Sequence, residues 1–383
     1  MERQIKLIDR TELLVIQATS FCNIDCSYCY LPNRSKSNHF DLRILSSVFE
    51  NLHQSNLLHG EITILWHCGE PLVLPIDFYK QATAIIQCCS EFYKINIHQS
   101  FQTNGMLISQ EFCDLIKEIG ATIGVSIDGP QFIHDKFRKK RNGTGTFDET
   151  YQGIMLLKRN NINFSAIAVV TDNTLDHPSA FYEFFKTLSP TRLGINLDET
   201  SGINSSSSFL RGEEKKERFL SFFKSLWILS YEKGDGLLIR EFEDMLYRLN
   251  LDSTVSFINT LTTPFQHITV DHKGNFSTFC PELMASPNKE FIFGNIDEVL
   301  VSEIHLNANF NKVKNDIERG VKQCKQTCDY FELCYGGTPS NKFFENGSFD
   351  STETIDCLYT KKYMADLVIG MLEQQSDLQR YIN

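Results

Sequence analysis

No run of ~18 apolar residues, the least that spans a bilayer as a helix, occurs anywhere in the 383-residue chain. Met1-Glu2-Arg3-Gln4 is not followed by the apolar stretch of a secretory signal, so neither export nor membrane insertion is expected and a cytoplasmic location is. Excess positive charge is missing as well: 37 Lys and Arg face 48 Asp and Glu, a net charge of -11. Without a basic patch to release counterions, nucleic acid is not expected as the main partner. The one basic run, Lys136 with Arg138 to Arg141, reads either as a solvated loop or as a local anion site. Internal repeats are absent. The composition, 42% hydrophobic and 22% charged, is that of a globular protein with a large core, expected as one big domain plus a smaller appendage.

What the chain does have is cysteine, twelve in all. In a reducing compartment these point to metal or cluster binding rather than to disulfides. They gather at the two ends. Cys22, Cys26 and Cys29 stand in the spacing C-x3-C-x2-C just after an apolar run. A zinc ribbon needs two separated C-x2-C pairs, and a dithiol redox motif has no third thiol. Three thiols on one tight loop suit a cubane iron–sulfur cluster that keeps one iron open to a small molecule. Cys324, Cys328, Cys334 and Cys357 form the second group. Cys68, Cys88, Cys89, Cys113 and Cys280 are scattered and read as small packed hydrophobes.

Short apolar runs at 13–17, 62–66, 95–101, 121–126, 164–170 and 193–197 read as strands. Segments with helical periodicity at 41–58, 76–92, 111–119, 147–158 and 178–188 separate them. Such alternation means βα units and a parallel sheet, and polar or Gly residues recur at the strands' C-terminal ends, where barrel folds carry their chemistry. The expected fold is α/β: a partly open six-unit barrel with a smaller C-terminal domain. The stretch 201–208 (SGINSSSS) reads as a surface linker or a lid. Helices are expected at 213–231 and 241–251, a β-hairpin at 267–279, and a bracing helix at 359–378. The boundaries that follow are 1–230 for the core, 231–264 for a helical connector and 265–383 for the cysteine-rich domain.

Taken together the strand-end motifs resemble the radical SAM superfamily. Cys22-x3-Cys26-x2-Cys29 follows the first strand, Gly69-Glu70-Pro71 the second, and Ser126-x-Asp128-Gly129 the fourth. The cysteine-rich tail resembles a SPASM domain, the auxiliary-cluster module of peptide-modifying members. The run Cys334-Tyr335-Gly336-Gly337-Thr338-Pro339-Ser340-Asn341-Lys342, with Cys357 and with Trp66-His67-Cys68-Gly69-Glu70, resembles the cyclophane-forming maturases of Gly-rich-repeat precursor peptides.

That resemblance implies a [4Fe-4S] cluster on Cys22, Cys26 and Cys29, with S-adenosylmethionine on the open iron. It implies Tyr28 beside the adenine, Gly69 and Glu70 near the methionyl amino group, and Ser126 and Asp128 toward the carboxylate or ribose. Asn104 is a further candidate, and Arg138 is the cation for the carboxylate. One auxiliary [4Fe-4S] cluster is expected on Cys324, Cys328, Cys334 and Cys357, because Thr338 and Val299 stand where a full SPASM set has cysteines. The spacing alone also permits a four-cysteine zinc site. The implied activity is a carbon–carbon cross-link, an aromatic ring carbon joined to a β-carbon in a ribosomally made precursor peptide. A thioether link or formylglycine-type oxidation is the alternative. Glu199 and Glu282 are the candidate proton acceptors. A flavodoxin- or ferredoxin-type one-electron donor is implied, and so is a leader read by the barrel–SPASM surface, since no leader-binding domain is expected ahead of the first strand.

Overall fold

The computed structural model describes residues 10–38, 40–232, 236–250 and 258–382. Met1 to Gln4 and part of the 231–264 connector lie outside the described residues. The βα units are β1 (Leu13–Gln17), α1 (Arg43–Gln54), β2 (Glu61–Trp66), α2 (Ile76–Tyr93), β3 (Asn96–Thr103), α3 (Gln110–Ile119) and β4 (Thr122–Ser126). They continue through α4 (Gln131–Phe137), α5 (Phe147–Arg159), β5 (Ser165–Val170), α6 (Pro178–Leu188), β6 (Leu193–Leu197), α7 (Glu213–Trp227) and α8 (Arg240–Leu249). The strands are parallel in the order β6-β5-β4-β3-β2-β1, an open sheet with β6 at one edge. Every strand therefore delivers its C-terminal loop to the same mouth, the geometry expected of a partial barrel.

Alternation explains which side chains fill the core. Ile62, Ile64 and Trp66 on β2 point to the helices and are buried, while Thr63 and Leu65 between them are not fully covered. Trp66 packs edge-on to Tyr79 of α2 at 5.3 Å, and Tyr79 packs likewise on Phe101 of β3 at 5.1 Å. The Trp66 Nε1–H donates to Gln99 (3.1 Å) and Gln99 donates to Thr83 (3.2 Å), so the buried polar atoms of this layer are paired.

Two features differ from the sequence reading. The hairpin β7 (His267–Asp271) and β8 (Asn275–Thr278), expected at the start of the smaller domain, continues the barrel sheet. β7 pairs in parallel with β1, from Leu13 opposite His267 to Gln17 opposite Asp271, so the barrel sheet runs on into β8 and β9 (Gly294–Asn295). The stretch 201–208 is a tied loop rather than a linker. Asp198 accepts from Ser208 N–H and Oγ–H (2.9 and 2.7 Å), and Ile203 N–H donates to Tyr30 O at 3.0 Å.

The tail adds α9 (Ala308–Thr327), α10 (Phe331–Cys334), α11 (Pro339–Asn346), a turn α12 (Ile355–Cys357) and α13 (Met364–Ile382). Its anchors include two buried ones. Asn51 of α1 donates to the carbonyls of Ile296 and Val299 (2.9 and 2.8 Å) and accepts from Val301 N–H. Tyr359 is buried against Phe209 and Phe219 and donates to Leu210 O at 2.7 Å.

Candidate active site

The cysteine loop leaves the C-terminal end of β1 and is clamped by the segment after α4. Asp25 N–H donates to Lys139 O (2.7 Å) and Ser27 N–H to Phe137 O (3.0 Å). Arg34 donates to Cys26 O (2.9 Å) and pairs with Asp25 (3.0 Å). Arg141 donates to the carbonyls of Cys22 and Arg34 (3.0 and 2.6 Å). The basic run is thus not a free solvated loop. It holds the backbone of the thiol-bearing loop, and Arg34, which the motif reading did not single out, does the same from within.

Arg138 turns inward and is buried. Its Nε lies 2.9 Å from Asp128 Oδ1, its Nη1 donates to Cys26 Sγ at 3.9 Å, and its guanidinium stands 5.5 Å above the Tyr28 ring. Asp128, fully buried, also accepts from Tyr28 Oη–H (2.5 Å) and Val169 N–H (2.9 Å). Asp128 is therefore engaged by the protein itself, and Tyr28 is fixed by its hydroxyl. His134 completes the support. Asp128 N–H donates to its Nδ1 (3.3 Å), so Nε2 carries the proton and donates to Thr146 Oγ1 (2.9 Å), which donates to Arg138 O (3.0 Å). Burial pushes His134 down to about 4, which keeps it neutral.

The loop after β2 packs on the cysteine loop. Gly69 has φ +67°, and a Cβ there would stand 2.5 Å from Thr19 O and 2.6 Å from Phe21 O. The close approach that requires glycine is to the protein backbone, whereas the sequence suggested an approach to ligand. Glu70 is buried and accepts from Thr103 Oγ–H (2.7 Å), Leu72 N–H (2.9 Å) and Asn104 N–H (2.7 Å). Burial raises it to about 7 against those donors. Its observed task is to tie the loop after β2 to the end of β3. Asn104 donates to Asn23 (2.7 Å) and lies 3.8 Å from Cys22 Sγ. Ser126 accepts from Gln102 at 2.9 Å.

Burial pushes the Cys22 and Cys26 thiols up to about 12, so an ionised set needs a cation to form. Donors from Asn104 and Arg138 already face these sulfurs, which is the surrounding a thiolate cluster needs. The tail thiols come together too. Cys324, in the last turn of α9, and Cys328, at its C-cap, share a face four residues apart, which is the physical reason the x3 interval works. With Cys334 and Cys357 they line one cavity of ≈ 230 Å³. Among the described residues no three His, Cys, Asp or Glu side chains close on a point that a single ion could occupy. The four tail thiols line one chamber, a donor set that fits a four-cysteine cluster. Cys280 is buried, pushed up by burial, and does not line that chamber.

Glu199, beyond the end of β6, and Glu282, after β8, share a cavity of ≈ 420 Å³ with Asp356 and Asn341. Asn341 of α11 donates to Glu199. Burial, then Asp356 and Glu282, push the Glu199 carboxyl well up; burial does the same to Glu282. Two loops and the tail thus bring three buried carboxyls, Glu199, Glu282 and Asp356, to one cavity.

Comparison with known proteins places this arrangement. A protein of Synechocystis sp. with no assigned function is 40% identical over 374 residues, covering 96% of this chain and 94% of its own. A cysteine-type anaerobic sulfatase-maturating enzyme of Clostridium novyi is 27% identical over 88% of this chain and 91% of its own. Among solved structures, anSMEcpe with bound AdoMet superposes with a TM-score of 0.77 at 23% identity, over 95% of this chain and 99% of that one. Streptococcus suis SuiB bound to the precursor peptide SuiA gives 0.65 at 14% identity, over 91% and 76%. These likenesses show that the fold, tail included, is shared. The Radical SAM superfamily matches residues 16–185, the span from β1 and its cysteine loop to α6. With its three thiols at the mouth of a parallel partial barrel and its Synechocystis relative aligned nearly end to end, the chain belongs to the radical SAM superfamily.

Proposed function

We propose that this chain is a maturase of a ribosomally made peptide and forms a carbon–carbon cross-link between an aromatic ring carbon and a β-carbon. The observation that carries the reading is the tail. Four thiols line one chamber, and the adjoining helix α11 reaches Glu199 at the barrel mouth. A peptide substrate is in keeping with SuiB, solved with its precursor, and with the sulfatase-maturating relatives. Cys22, Cys26 and Cys29 would hold the cluster on which S-adenosylmethionine binds, and together these would supply hydrogen-atom abstraction from the peptide.

The chain's own residues do the rest. Arg138, held by Asp128, presents fixed positive charge beside Cys26 and Tyr28. After the ring is attacked, one electron and one proton must leave. Glu199 or Glu282, both raised by burial, can hold the proton, and Cys324, Cys328, Cys334 and Cys357 would hold the cluster that would accept the electron. A one-electron donor of flavodoxin or ferredoxin type would reduce the loop cluster.

A second reading, oxidation of one Cys or Ser to formylglycine, is favoured by the sulfatase-maturating relatives. The test is anaerobic reconstitution with the peptide encoded beside the gene. Loss of two hydrogens with fragmentation blocked between an aromatic residue and its neighbour supports the cross-link. A product aldehyde that reacts with a hydrazine, or a link to sulfur, refutes it. No 5'-deoxyadenosine under reduction refutes both enzyme readings.

A further inference from the structure

Lys342 is only 4% exposed, yet no carboxylate pairs with it among the described residues. Its Nζ instead donates to Cys324 Sγ at 3.3 Å, inside the four-thiol cavity. The fold makes room for this. Gly320 of α9 faces the ammonium, and a Cβ there would stand 3.2 Å from Nζ and 2.1 Å from Phe349 O. The other lysine of the cavity, Lys362, is neutralised by Glu353 at 2.7 Å, and Glu353 also meets Arg211. Among the described residues that line the chamber, Lys342 is therefore the cation without a carboxylate partner, and it faces a sulfur.

An unpaired buried ammonium is strongly unfavourable unless an anion meets it. The available anion is whatever the four cysteines hold. A four-thiolate cubane is negative in both redox states and one charge more negative when reduced. A fixed cation at its edge stabilises the reduced state more, and net charge and hydrogen bonds to sulfur are established levers on cluster potential. We infer that Lys342 is a positioning residue that raises the reduction potential of the tail cluster, making it an electron acceptor. This rests on the cluster reading proposed above.

The test uses the full chain with Cys22→Ala, Cys26→Ala and Cys29→Ala, so that only the tail binds iron, and an EPR-monitored redox titration. With Lys342→Met the reduced fraction at a fixed potential is expected to fall at least tenfold, about 59 mV for one electron. Lys342→Arg, which keeps the charge, is expected to stay near the parent value. A Met variant within about threefold of the parent, or Met and Arg variants displaced equally, overturns the proposal. If the Met variant fails to hold iron, retention of iron and of the parent potential by the Arg variant supports the charge role, and loss in both overturns it. A parent tail that binds no iron overturns the cluster reading itself, an outcome separate from any lysine effect.

Discussion

Replacing Arg138 with Met should show how the radical site is built. The side chain is about as long but uncharged. Asp128, at 1% exposure, would lose the cation 2.9 Å away and keep the Tyr28 hydroxyl and Val169 N–H. Removing one partner of a buried ion pair costs ~3–5 kcal/mol, because the other charge is left unpaired. With two donors remaining on Asp128, the lower end applies, ~3 kcal/mol, or roughly a hundredfold in the folding equilibrium. Adding Asp128→Asn removes the orphaned charge and should recover ~2 kcal/mol, a coupling that two independent sites would not show. Arg138→Lys should recover less, since a point charge cannot reach both Asp128 and Cys26. Urea unfolding of the metal-free protein by far-UV circular dichroism measures all four. A single-variant loss below ~1 kcal/mol, or no recovery in the double variant, would refute the buried-pair account.

Other outcomes follow from the same geometry. Gly69→Ala forces a Cβ against Thr19 O and Phe21 O in a left-handed backbone, and should lower loop-cluster iron content with a stability loss of ~2 kcal/mol or more, read by iron assay and thermal melting. Glu70 sits at about 7 through burial, above 4.5 for an ordinary Glu, so its contribution to stability is full below 4.5 and is lost as pH rises through about 7. The stability difference between wild type and Glu70→Gln should therefore shift by ~3 kcal/mol in favour of the Gln variant from about pH 4 to about pH 8, and a flat difference would refute the assignment. Cys26→Ala should abolish 5'-deoxyadenosine formation, whereas Cys334→Ala should spare some of it and block the peptide product. Equal loss in both would make the tail site a structural support.

Much of this was readable from residues alone, for a definite reason. Strand and helix periods in the βα units are dictated by burial, so 13–17, 178–188 and 193–197 are strand, helix and strand as expected. The helix Ala308–Thr327 was missed although Phe310, Val313, Ile317 and Cys324 recur at helical spacing and Asn307 caps it, because its polar and charged majority masks the stripe. The parallel pairing of β7 with β1 was not legible, since a hairpin motif says nothing of which outer strand it meets. At the site, the seven thiols were marked by spacing. The reach of Arg138 to Cys26 and the bond from Asn341 to Glu199 depend on contacts between segments distant in the chain, which local pattern does not encode, and the Arg34 clamp depends on how its own loop closes.

The short helix α11 draws the two halves of the site together. Asn341 donates to Glu199 at the barrel mouth, and its neighbour Lys342 donates to Cys324 in the thiol chamber. Successive residues on a helix point ~100° apart, so one rigid turn can address two compartments. An oxidative peptide modification must dispose of a proton and an electron from the same carbon skeleton. On the proposed reading, the carboxyl that would take the proton and the thiols that would hold the electron-accepting cluster are both contacted by adjacent side chains of α11. Burial and Asp356 raise the Glu199 carboxyl, which makes its carboxylate a stronger base, and Lys342 beside Cys324 would favour added negative charge on a cluster held by the tail thiols. The tail is on that reading more than a brace: α11 would position both the barrel carboxyl and the tail cluster, so four tail cysteines would suffice for an oxidation.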